Sequence, residues 1–475
     1  MSNGIANYKL LPFNFLKIAG KEVLVNELGD MIVVPNGTAC RLANKEEVDE
    51  ELFKSLYANF FVTNNYFSPM MDVYAARLRE KKSFLDNFTA LHIFVLTLRC
   101  NQNCVYCQAS SQDEVSKHCS MSFHTMDKAV ELMFKSRSPF LTMEFQGGEP
   151  TLEPKLIRYG IERAEEINKT EKRKIDYVLC TNSINLTEEI MDICQTYHVL
   201  ISTSLDGPEW LHNKNRGKKD SHEKVVAGIT KARTLLGHDQ VSALMTASEE
   251  GVLHPIEIVE EYERLGFNSI FLRALNPYGL ARDNSDWDEY TDKFIDFYKK
   301  ALDHIIELNL NGRFFIEEFA AIILRKMLTP FCTGFVDLQS PAGIINSVLV
   351  YNYDGYVYAS DESRMLAEFN DYTFRLGSVD DKYEDIVYGQ KARELGKIWC
   401  NETIAGCADC PIRAYCGADS VRNYSTQGDA YGFRPNSWLC RKNKAIIEYL
   451  IELIVTRHDE VMPIFKSWLV CHRDH

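Results

Sequence analysis

The alternation of apolar and polar positions is most regular between about residues 90 and 310. Short apolar runs are followed there by segments whose apolar residues recur at helical spacing, such as TMDKAVELMFKS and EKVVAGITKARTLL. The runs are LHIFVLTL, LTMEFQ, IDYVLCT, VLISTSLD, VSALMTA and SIFLRAL. Continuously apolar strands that alternate with helices predict a parallel sheet covered by helices. We therefore predict an α/β fold with a partial (β/α)6 TIM-like barrel over residues 88–320.

The first 80 residues follow a different pattern. The short alternating runs FNFLKI, EVLVNE and DMIVVPNG predict a small antiparallel sheet. In the next stretch, NKEEVDEELFKSLYANFFV, apolar residues have helical spacing and Asn44 precedes an acidic first turn. Residues 1–80 are thus predicted to form a small α+β module, and a plain extension that packs on the barrel is an alternative.

Composition and charge restrict the class of protein. The chain has 475 residues, 45% of them hydrophobic, and a net charge of −14, which offers no electrostatic footprint for nucleic acid. We find no run of eighteen apolar residues and no secretory h-region in MSNGIANYKLL, so we expect a cytoplasmic protein without a membrane partner. Fourteen cysteines in such a protein favour metal or redox chemistry over disulfides.

Three of these cysteines lie close together in RCNQNCVYCQAS, where Cys100, Cys104 and Cys107 have C-x3-C-x2-C spacing. A structural zinc site uses four protein ligands, commonly from paired C-x2-C halves. Three thiolates on one loop instead suit a cuboidal iron–sulfur cluster with one iron left open for another ligand.

The other polar residues of interest follow the apolar runs, at the strand ends where open α/β sheets and barrels carry their chemistry. Paired glycines let a ligand approach the backbone, and the glutamate that follows them can pair with a cation. In chain order these residues are Gln146, Gly147, Gly148 and Glu149, then Asn182, then Ser204, Asp206 and Arg216, and finally Leu275.

Together, C-x3-C-x2-C, G-G-E-P, T-N-[GS] and S-L-D-G-P-x3-H-x3-R closely resemble the motifs of the radical S-adenosylmethionine (SAM) superfamily. The resemblance covers residues 90–445. It implies that Cys100, Cys104 and Cys107 hold a 4Fe–4S cluster whose open iron is chelated by SAM. The reduced cluster would cleave SAM to a 5′-deoxyadenosyl radical, which abstracts hydrogen from a substrate.

The same resemblance assigns cofactor-binding roles to the strand-end residues. It implies that Tyr106 and Leu275 lie near the adenine, Ser204 near the ribose, and Arg216 near the methionyl carboxylate. Gly148 and Glu149 correspond to the methionine-binding strand end. Gln146, Gly147, Asn182 and Asp206 complete the expected cofactor-binding set, and for each residue a plain turn or cap is the alternative.

A cysteine-rich segment follows in residues 325–475, and GCADCPIRAYCGADS with the later SWLCRKN resembles the SPASM/twitch extension of radical enzymes that act on peptides. The full extension holds two auxiliary 4Fe–4S clusters. Two ligand positions of the first cluster are Ser360 and Ser420 here, which leaves Cys332 as a remnant. The ligands implied for the second cluster are Cys407, Cys410, Cys416 and Cys440. We therefore expect one auxiliary cluster, with Cys400 as an alternative to Cys440 and structural zinc as an alternative metal.

One acid, Asp361, matches the aspartate that sulfatase-maturing relatives are thought to use as a general base. A base is needed if a substrate radical loses a proton with its second electron. An ion pair with Arg364 would instead make this acid structural.

The running sequence is most similar to the His-Xaa-Ser system radical SAM maturases. This implies oxidation or cross-linking of a ribosomally made precursor peptide, an electron donor of the flavodoxin or ferredoxin type, and a paired second radical SAM enzyme. Residues 1–80 would then resemble a PqqD-like module, which binds a leader peptide as an added strand. A sulfatase-maturing enzyme and a non-catalytic iron–sulfur or zinc sensor that binds peptide are the alternatives.

Overall fold

The computed structural model describes residue 5 and residues 7–86, 88–282 and 286–471, without the side chain of residue 471. The outermost residues of the predicted first and last domains, 1–4, 6 and 472–475, lie outside the described residues.

The N-terminal module is an antiparallel sheet with three helices. Its elements are β1 (Lys9–Leu10), β2 (Phe13–Ile18), β3 (Lys21–Asn26), β4 (Met31–Pro35), α1 (Thr38–Ala43), α2 (Glu50–Ala58), β5 (Val62–Thr63) and α3 (Pro69–Lys81). β3 pairs with β2 on one side and β4 on the other, which confirms the three predicted strands. The predicted helix start is wrong: α2 begins after Asp49, whose carboxylate accepts a hydrogen bond from Leu52 N, whereas Asn44 ends α1.

The central region alternates strands and helices as predicted. Its elements are β6 (Leu91–Thr97), β7 (Arg99–Cys100), β8 (Gln112–Asp113), α4 (Phe123–Met133), β9 (Phe140–Gly147), α5 (Pro154–Glu171), β10 (Lys174–Thr181), α6 (Glu188–Tyr197), β11 (Leu200–Ser204), α7 (Glu209–Arg216), α8 (Ser221–Leu236), β12 (Val241–Leu244), α9 (Pro255–Arg264), β13 (Ser269–Ile270), α10 (Trp287–Leu310), β14 (Ile316–Glu317) and α11 (Glu318–Leu328). β6, β9, β10, β11 and β12 are parallel neighbours.

The sixth predicted strand departs from this pattern. β13 has only two residues and pairs with β14, and residues Ala247 and Ala274 form an isolated parallel bridge. The apolar run SIFLRAL is therefore mostly extended chain without a ladder of its own.

The C-terminal region adds strands to the same sheet. Its elements are β15 (Val348–Tyr351), β16 (Tyr356–Tyr358), α12 (Asp361–Ala367), β17 (Arg375–Ser378), α13 (Tyr383–Tyr388), α14 (Gln390–Leu395), α15 (Ser420–Gln427), α16 (Trp438–Thr456) and α17 (His458–Cys471). β15 is parallel to β6, and β16 and β17 continue antiparallel from it. Within the described residues the main sheet thus has eight strands, in the order β12-β11-β10-β9-β6-β15-β16-β17.

The two faces of β9 separate the hydrophobic core from the interior of the barrel. Leu141, Met143 and Phe145 are fully buried, while the alternating Glu144 and Gln146 are only partly buried. Because side chains alternate across a strand, the first set lies in the hydrophobic core with α4 and α5 residues, and the second lies on the opposite, interior face. A search of the described helices finds none that is long and apolar enough to cross a membrane.

Candidate radical SAM site

The cysteine loop follows β6, at the carboxyl end of the parallel sheet. Hydrogen bonds from neighbouring segments hold its backbone: Val105 N donates to Asn215 O (2.9 Å) and Leu280 N donates to Cys107 O (2.9 Å). The loop is therefore clamped between the segments that follow β11 and β13.

The three thiols of the loop are partly buried and electrostatically coupled. Burial raises the pKa of Cys100 to about 12, and Cys104 and Cys107 add to the rise. The Cys100 thiol must therefore lose its proton when it binds a metal. The hydroxyl of Ser111 lies 3.1 Å from the Cys107 sulfur.

In the part of the chain that the structure describes, no three His, Cys, Asp or Glu side chains are arranged to hold a metal ion. A cuboidal cluster makes a different demand from a single ion, because each thiolate binds a separate iron. The donor set of this loop, three thiols and one open position, fits such a cluster.

The two glycines after β9 allow close packing of backbone on backbone. A Cβ on Gly147 would lie 2.2 Å from Thr97 O, and one on Gly148 would lie 2.4 Å from Arg99 O. In the native chain, Gly148 N donates to Thr97 O (2.7 Å) and Glu149 N donates to Arg99 O (2.8 Å). The glycines thus join the end of β9 to the start of the cysteine loop.

Glu149 is held by hydrogen-bond donors of the chain itself. Its side chain is fully buried and accepts hydrogen bonds from Thr181 Oγ1 (2.6 Å), Asn182 N (2.8 Å) and both the N and Oγ1 of Thr151. Both carboxylate oxygens are therefore used to fix the end of β10 against the segment after β9.

Asp206 organises the other side of the loop. Its carboxylate accepts two hydrogen bonds from Arg216, at 2.9 and 2.8 Å, and one from the Tyr106 hydroxyl at 2.6 Å. Burial alone would raise the pKa of Asp206, but the charge and hydrogen bonds of Arg216 leave it below its usual value. Arg216 Nη1 also lies 3.8 Å from the Cys104 sulfur, so this ion pair adjoins the expected cluster ligands.

The remaining expected cofactor residues lie around the same sheet edge. Asn182 Nδ2 donates to Asn101 Oδ1 in the cysteine loop (2.7 Å), and Gln146 donates to Glu144. Leu275 is buried and its N donates to Tyr290 (2.6 Å), while Ser204 is the last residue of β11 and is partly buried.

A second group of thiols lies in the C-terminal region. Cys407, Cys410 and Cys416 all act electrostatically on Cys440, the pKa of which burial raises to about 11. Arg434 Nε donates to the Cys407 sulfur (3.0 Å). The Cys400 thiol instead responds to Glu402 and Lys82, and it lines a cavity of about 420 Å³ that Cys332 and Cys416 also line. These contacts favour Cys440 over Cys400 as the fourth member of the group.

Ser360 and Ser420 stand at the starts of two contacting helices. Ser360 caps α12 and accepts a hydrogen bond from Ser363 N, and Ser420 is the first residue of α15. Between these helices Arg422 lies 3.3 Å from Asp419 and 3.8 Å from Glu362. A buried ionic network therefore occupies the region between the two serines.

Asp361 follows Ser360 directly and is paired with Arg364 Nη2 at 2.9 Å. The Arg364 side chain is almost fully buried and also donates to Ala109 O at 3.2 Å. The ion pair weighed from the sequence is thus present, and it ties α12 to the end of the cysteine loop.

Sequence reasoning missed two groups on neighbouring strands, Glu144 and Cys180. Glu144 lies on β9 and Cys180 on the neighbouring strand β10, and burial raises the pKa of both groups. The available signal was Glu144 itself, a lone acid within the apolar run LTMEFQ.

Comparison with known proteins identifies the family. The family model described as Radical SAM superfamily matches residues 94–250. A serine-type anaerobic sulfatase-maturating enzyme from Bacteroides thetaiotaomicron is 32% identical over 351 residues, which cover 68% of this chain and 80% of that protein. The chain belongs to the radical SAM superfamily.

Solved structures show the same fold. Native anSMEcpe with bound AdoMet aligns with a TM-score of 0.63 at 19% identity, over 78% of this chain and all of that chain. SuiB of Streptococcus suis, bound to the precursor peptide SuiA, aligns with a TM-score of 0.50 at 12% identity, over 93% of this chain and all of that chain. The α/β architecture of this radical SAM protein is therefore shared with both.

Proposed function

We propose that this radical SAM enzyme abstracts hydrogen from a ribosomally synthesised precursor peptide and so starts its oxidative modification or cross-linking. The observation that carries the proposal is the packing of Asp206, Arg216 and Tyr106 against Cys104. This arrangement places a hydrogen-bonded cation beside three coupled thiols at the carboxyl edge of the sheet. The peptide substrate is supported by the fold shared with SuiB, which was solved with its precursor peptide.

The expected cofactors are a SAM-binding 4Fe–4S cluster, SAM itself and one auxiliary 4Fe–4S cluster. Cys100, Cys104 and Cys107 would hold the first cluster, and when bound it supplies the electron that cleaves SAM into a hydrogen-abstracting radical. The protein residues position the reactants and exclude water: Gly148 and Glu149 fix the strand end, and Arg216 stays charged through its bond to Asp206.

A single auxiliary cluster is supported by the contrast between two regions. Cys407, Cys410, Cys416 and Cys440 are electrostatic neighbours, and nitrogen donors reach two of the four sulfurs. Hydrogen bonds to sulfur are one means by which proteins tune such clusters. Near Ser360 and Ser420, Arg422 instead forms ion pairs with Asp419 and Glu362.

Residues 1–80 are proposed to bind the leader of the peptide. β4 pairs with β3 alone among the described strands, so one edge of it has unpaired backbone groups to which an extended peptide can add. The module is fixed to the cysteine-rich region by the Tyr415 hydroxyl, which donates to Gly29 O at 2.8 Å, and by an Arg413–Glu27 ion pair at 2.6 Å.

Maturation of a sulfatase is the second candidate, and the 32% identity to the serine-type enzyme favours it. In that case the substrate would be a serine or cysteine of a folding sulfatase rather than a dedicated precursor peptide. The loss of two thiolates at Ser360 and Ser420 weighs against it, since the resemblance gives such enzymes two auxiliary clusters.

The experiment that tests the proposal compares wild type with a variant in which all three loop cysteines are alanine, both reconstituted anaerobically with iron and sulfide. Each is given SAM, a flavodoxin or ferredoxin-type reductant and the precursor peptide encoded beside the chain, with any paired radical SAM enzyme. We expect 5′-deoxyadenosine and a changed peptide mass from wild type alone. If wild type forms 5′-deoxyadenosine and converts a sulfatase peptide but leaves the precursor peptide unchanged, the peptide assignment is overturned in favour of the second candidate.

A further inference from the structure

One residue of the S-L-D-G-P-x3-H-x3-R motif, His212, has no part in the cofactor assignments. It lies on α7, between Asp206 and Arg216 in the chain, and its side chain is fully buried. Both ring nitrogens have partners: Asp206 N donates to Nδ1 at 3.3 Å, and the hydroxyl of Ser221, the first residue of α8, lies 3.0 Å from Nε2. The ring is therefore fixed in one orientation.

The backbone partner decides which ring nitrogen of His212 carries the hydrogen. A backbone N–H can only donate, so Nδ1 is the acceptor. Burial lowers the pKa of His212 to about 3, so the ring is neutral near pH 7 and its single hydrogen is on Nε2. Nε2 therefore donates to Ser221 Oγ.

Ser221 joins His212 to the cysteine loop. Its fully buried hydroxyl also accepts a hydrogen bond from Gln102 Nε2 at 2.6 Å. Gln102 lies between Cys100 and Cys104 and is itself buried, and the Cys104 sulfur lies 4.0 Å from its Oε1. A hydroxyl has two lone pairs and one hydrogen, so Ser221 accepts both bonds and still keeps a hydrogen to donate.

These contacts close a ring around Cys104. On the other side of the sulfur, Arg216 Nη1 lies at 3.8 Å, and the same guanidinium donates to the Asp206 carboxylate at 2.8 Å. Asp206 thus reaches the sulfur from two sides, once through its carboxylate and once through its backbone N and the hydrogen bonds that begin at His212. Outer contacts of this kind orient a metal ligand and tune the metal that it binds.

We propose that His212 is a positioning residue for Cys104: its Nε2–H holds Ser221 so that the hydroxyl hydrogen is directed at the Gln102 amide. This inference rests on the proposed cluster at the cysteine loop. A Cys104 thiolate that binds iron has no hydrogen to donate and instead accepts one. A half turn of the Gln102 amide supplies the donor, because Nε2 then faces the sulfur and Oε1 accepts the Ser221 hydrogen.

The proposal predicts what is lost when the Nε2–H is removed. Ser221 then no longer fixes the amide of Gln102, and the hydrogen bond to the Cys104 sulfur weakens. Such a bond stabilises the additional negative charge of a reduced cluster, so its loss lowers the reduction potential. Loss of an outer partner of a metal ligand also weakens metal binding, by about tenfold or more.

The test uses two replacements that each keep one half of the imidazole. H212N puts an amide oxygen near the Nδ1 position and keeps the acceptor for Asp206 N. H212Q reaches the Nε2 position and keeps an N–H donor for Ser221. The matched control is H124Q, because the His124 side chain is 65% exposed.

The loop cluster is identified in each reconstituted protein as the reduced EPR signal that changes when SAM is added. Its midpoint potential is measured by anaerobic redox titration, and the decay of the signal is timed in the presence of an iron chelator. We expect H212N to decay about tenfold faster than wild type and to have a lower potential, while H212Q and H124Q stay close to wild type. If His212 serves only to pack the core or to hold Asp206 N, H212N performs at least as well as H212Q, and that result overturns the inference.

Variants of Gln102 separate an effect through the amide from damage elsewhere. Q102L removes the last contact before Cys104, so it should match H212N in decay rate and in potential. The double variant should show no further change, because both replacements act on one contact. Additive effects in the double variant would place the action of His212 elsewhere and overturn the inference.

Nitrogen-15 NMR of the metal-free protein with labelled histidine tests the hydrogen directions in wild type. The signal that is missing from H212Q should show a bare Nδ1 and a protonated Nε2 between about pH 6 and pH 8. A hydrogen on Nδ1 would overturn the inference. If wild type has no SAM-responsive cluster, the proposed function fails together with this inference, whereas a wild-type cluster that H212N leaves unchanged overturns the inference alone.

Discussion

The ion pair between Asp206 and Arg216 offers a direct test of how the site is held together. Asp206→Asn keeps the shape of the side chain and removes its charge. The Asp206 side chain is fully buried and that of Arg216 is 10% exposed, so the variant leaves a guanidinium without its partner inside the protein. The Tyr106 hydroxyl loses a charged acceptor at the same time.

The expected loss of stability follows from the burial of the pair. Two unit charges about 4 Å apart attract by about 4 kcal/mol at the effective dielectric constant near a protein surface. Breaking a buried pair on one side costs about 3–5 kcal/mol, because the remaining charge stays desolvated. We therefore expect the free energy of unfolding of D206N to fall by about 3 kcal/mol or more near neutral pH.

The assay is urea unfolding of the protein without metal, followed by circular dichroism, with D192N as the matched control. Asp192 pairs with Arg158 at 2.7 Å, but its side chain is 64% exposed, and exposed pairs contribute about 0–1 kcal/mol. The same change of Asp to Asn should therefore have at least a threefold smaller effect there.

The pH dependence of the stability difference between wild type and D206N is a second check on the ion pair. Because the pKa of Asp206 is below its usual value in the folded state, its contribution is complete above about pH 4 and is lost as the pH falls through the folded pKa. The difference between wild type and D206N should shrink in acid. A difference below about 1 kcal/mol at neutral pH, or one that stays constant into acid, would refute the reasoning.

Three further predictions concern the thiols and the glycines. Replacing the three loop cysteines with alanine should lower the iron content from about eight to about four per chain, measured by iron assay after reconstitution; about twelve in wild type would mean two auxiliary clusters. Cys440→Ser should remove about four irons while Cys400→Ser removes none, and the reverse result would assign Cys400 as the ligand. Gly148→Ala should unfold at a markedly lower temperature than the control variant Gly251→Ala. The new Cβ would lie 2.4 Å from Arg99 O at position 148, but 3.3 Å from the nearest atom at position 251. Equal melting temperatures for the two variants would contradict the close packing at Gly148.

The structural features that the sequence predicts best are those that depend on residues close together in the chain. The apolar runs of the barrel and the alternating runs of the N-terminal module became strands, since their periodicity is a local property. The place of β15 beside β6 could not be read in this way, because the pairing joins segments more than 250 residues apart. The predicted ends of elements were also less secure, as the shift of the α2 cap from Asn44 to Asp49 shows.

For the motif residues too, the sequence indicates which residues share a site but not which partners they contact. Their order along the chain indicated a common site, and the structure brings Tyr106, Asp206 and Arg216 into contact. Chemical type alone does not reveal the partners of Glu149, since a carboxylate beside paired glycines suits a cation as well as it suits backbone and hydroxyl donors. Two of its donors, Thr181 and Asn182, lie at the end of β10, which only the fold brings beside β9.

Side chains in the interior of the barrel are the hardest to predict from the sequence. A strand of a helix-covered parallel sheet is expected to be apolar on both faces, so one acid within LTMEFQ has no periodicity that distinguishes a substrate-facing group from an isolated exception. What distinguishes Glu144 in the structure is its place on the partly buried face of β9, where Gln146 donates a hydrogen bond to its carboxylate. Burial raises the pKa of Glu144 and the bond from Gln146 opposes the rise, so the acid depends on a partner that the fold supplies on the face turned away from the core.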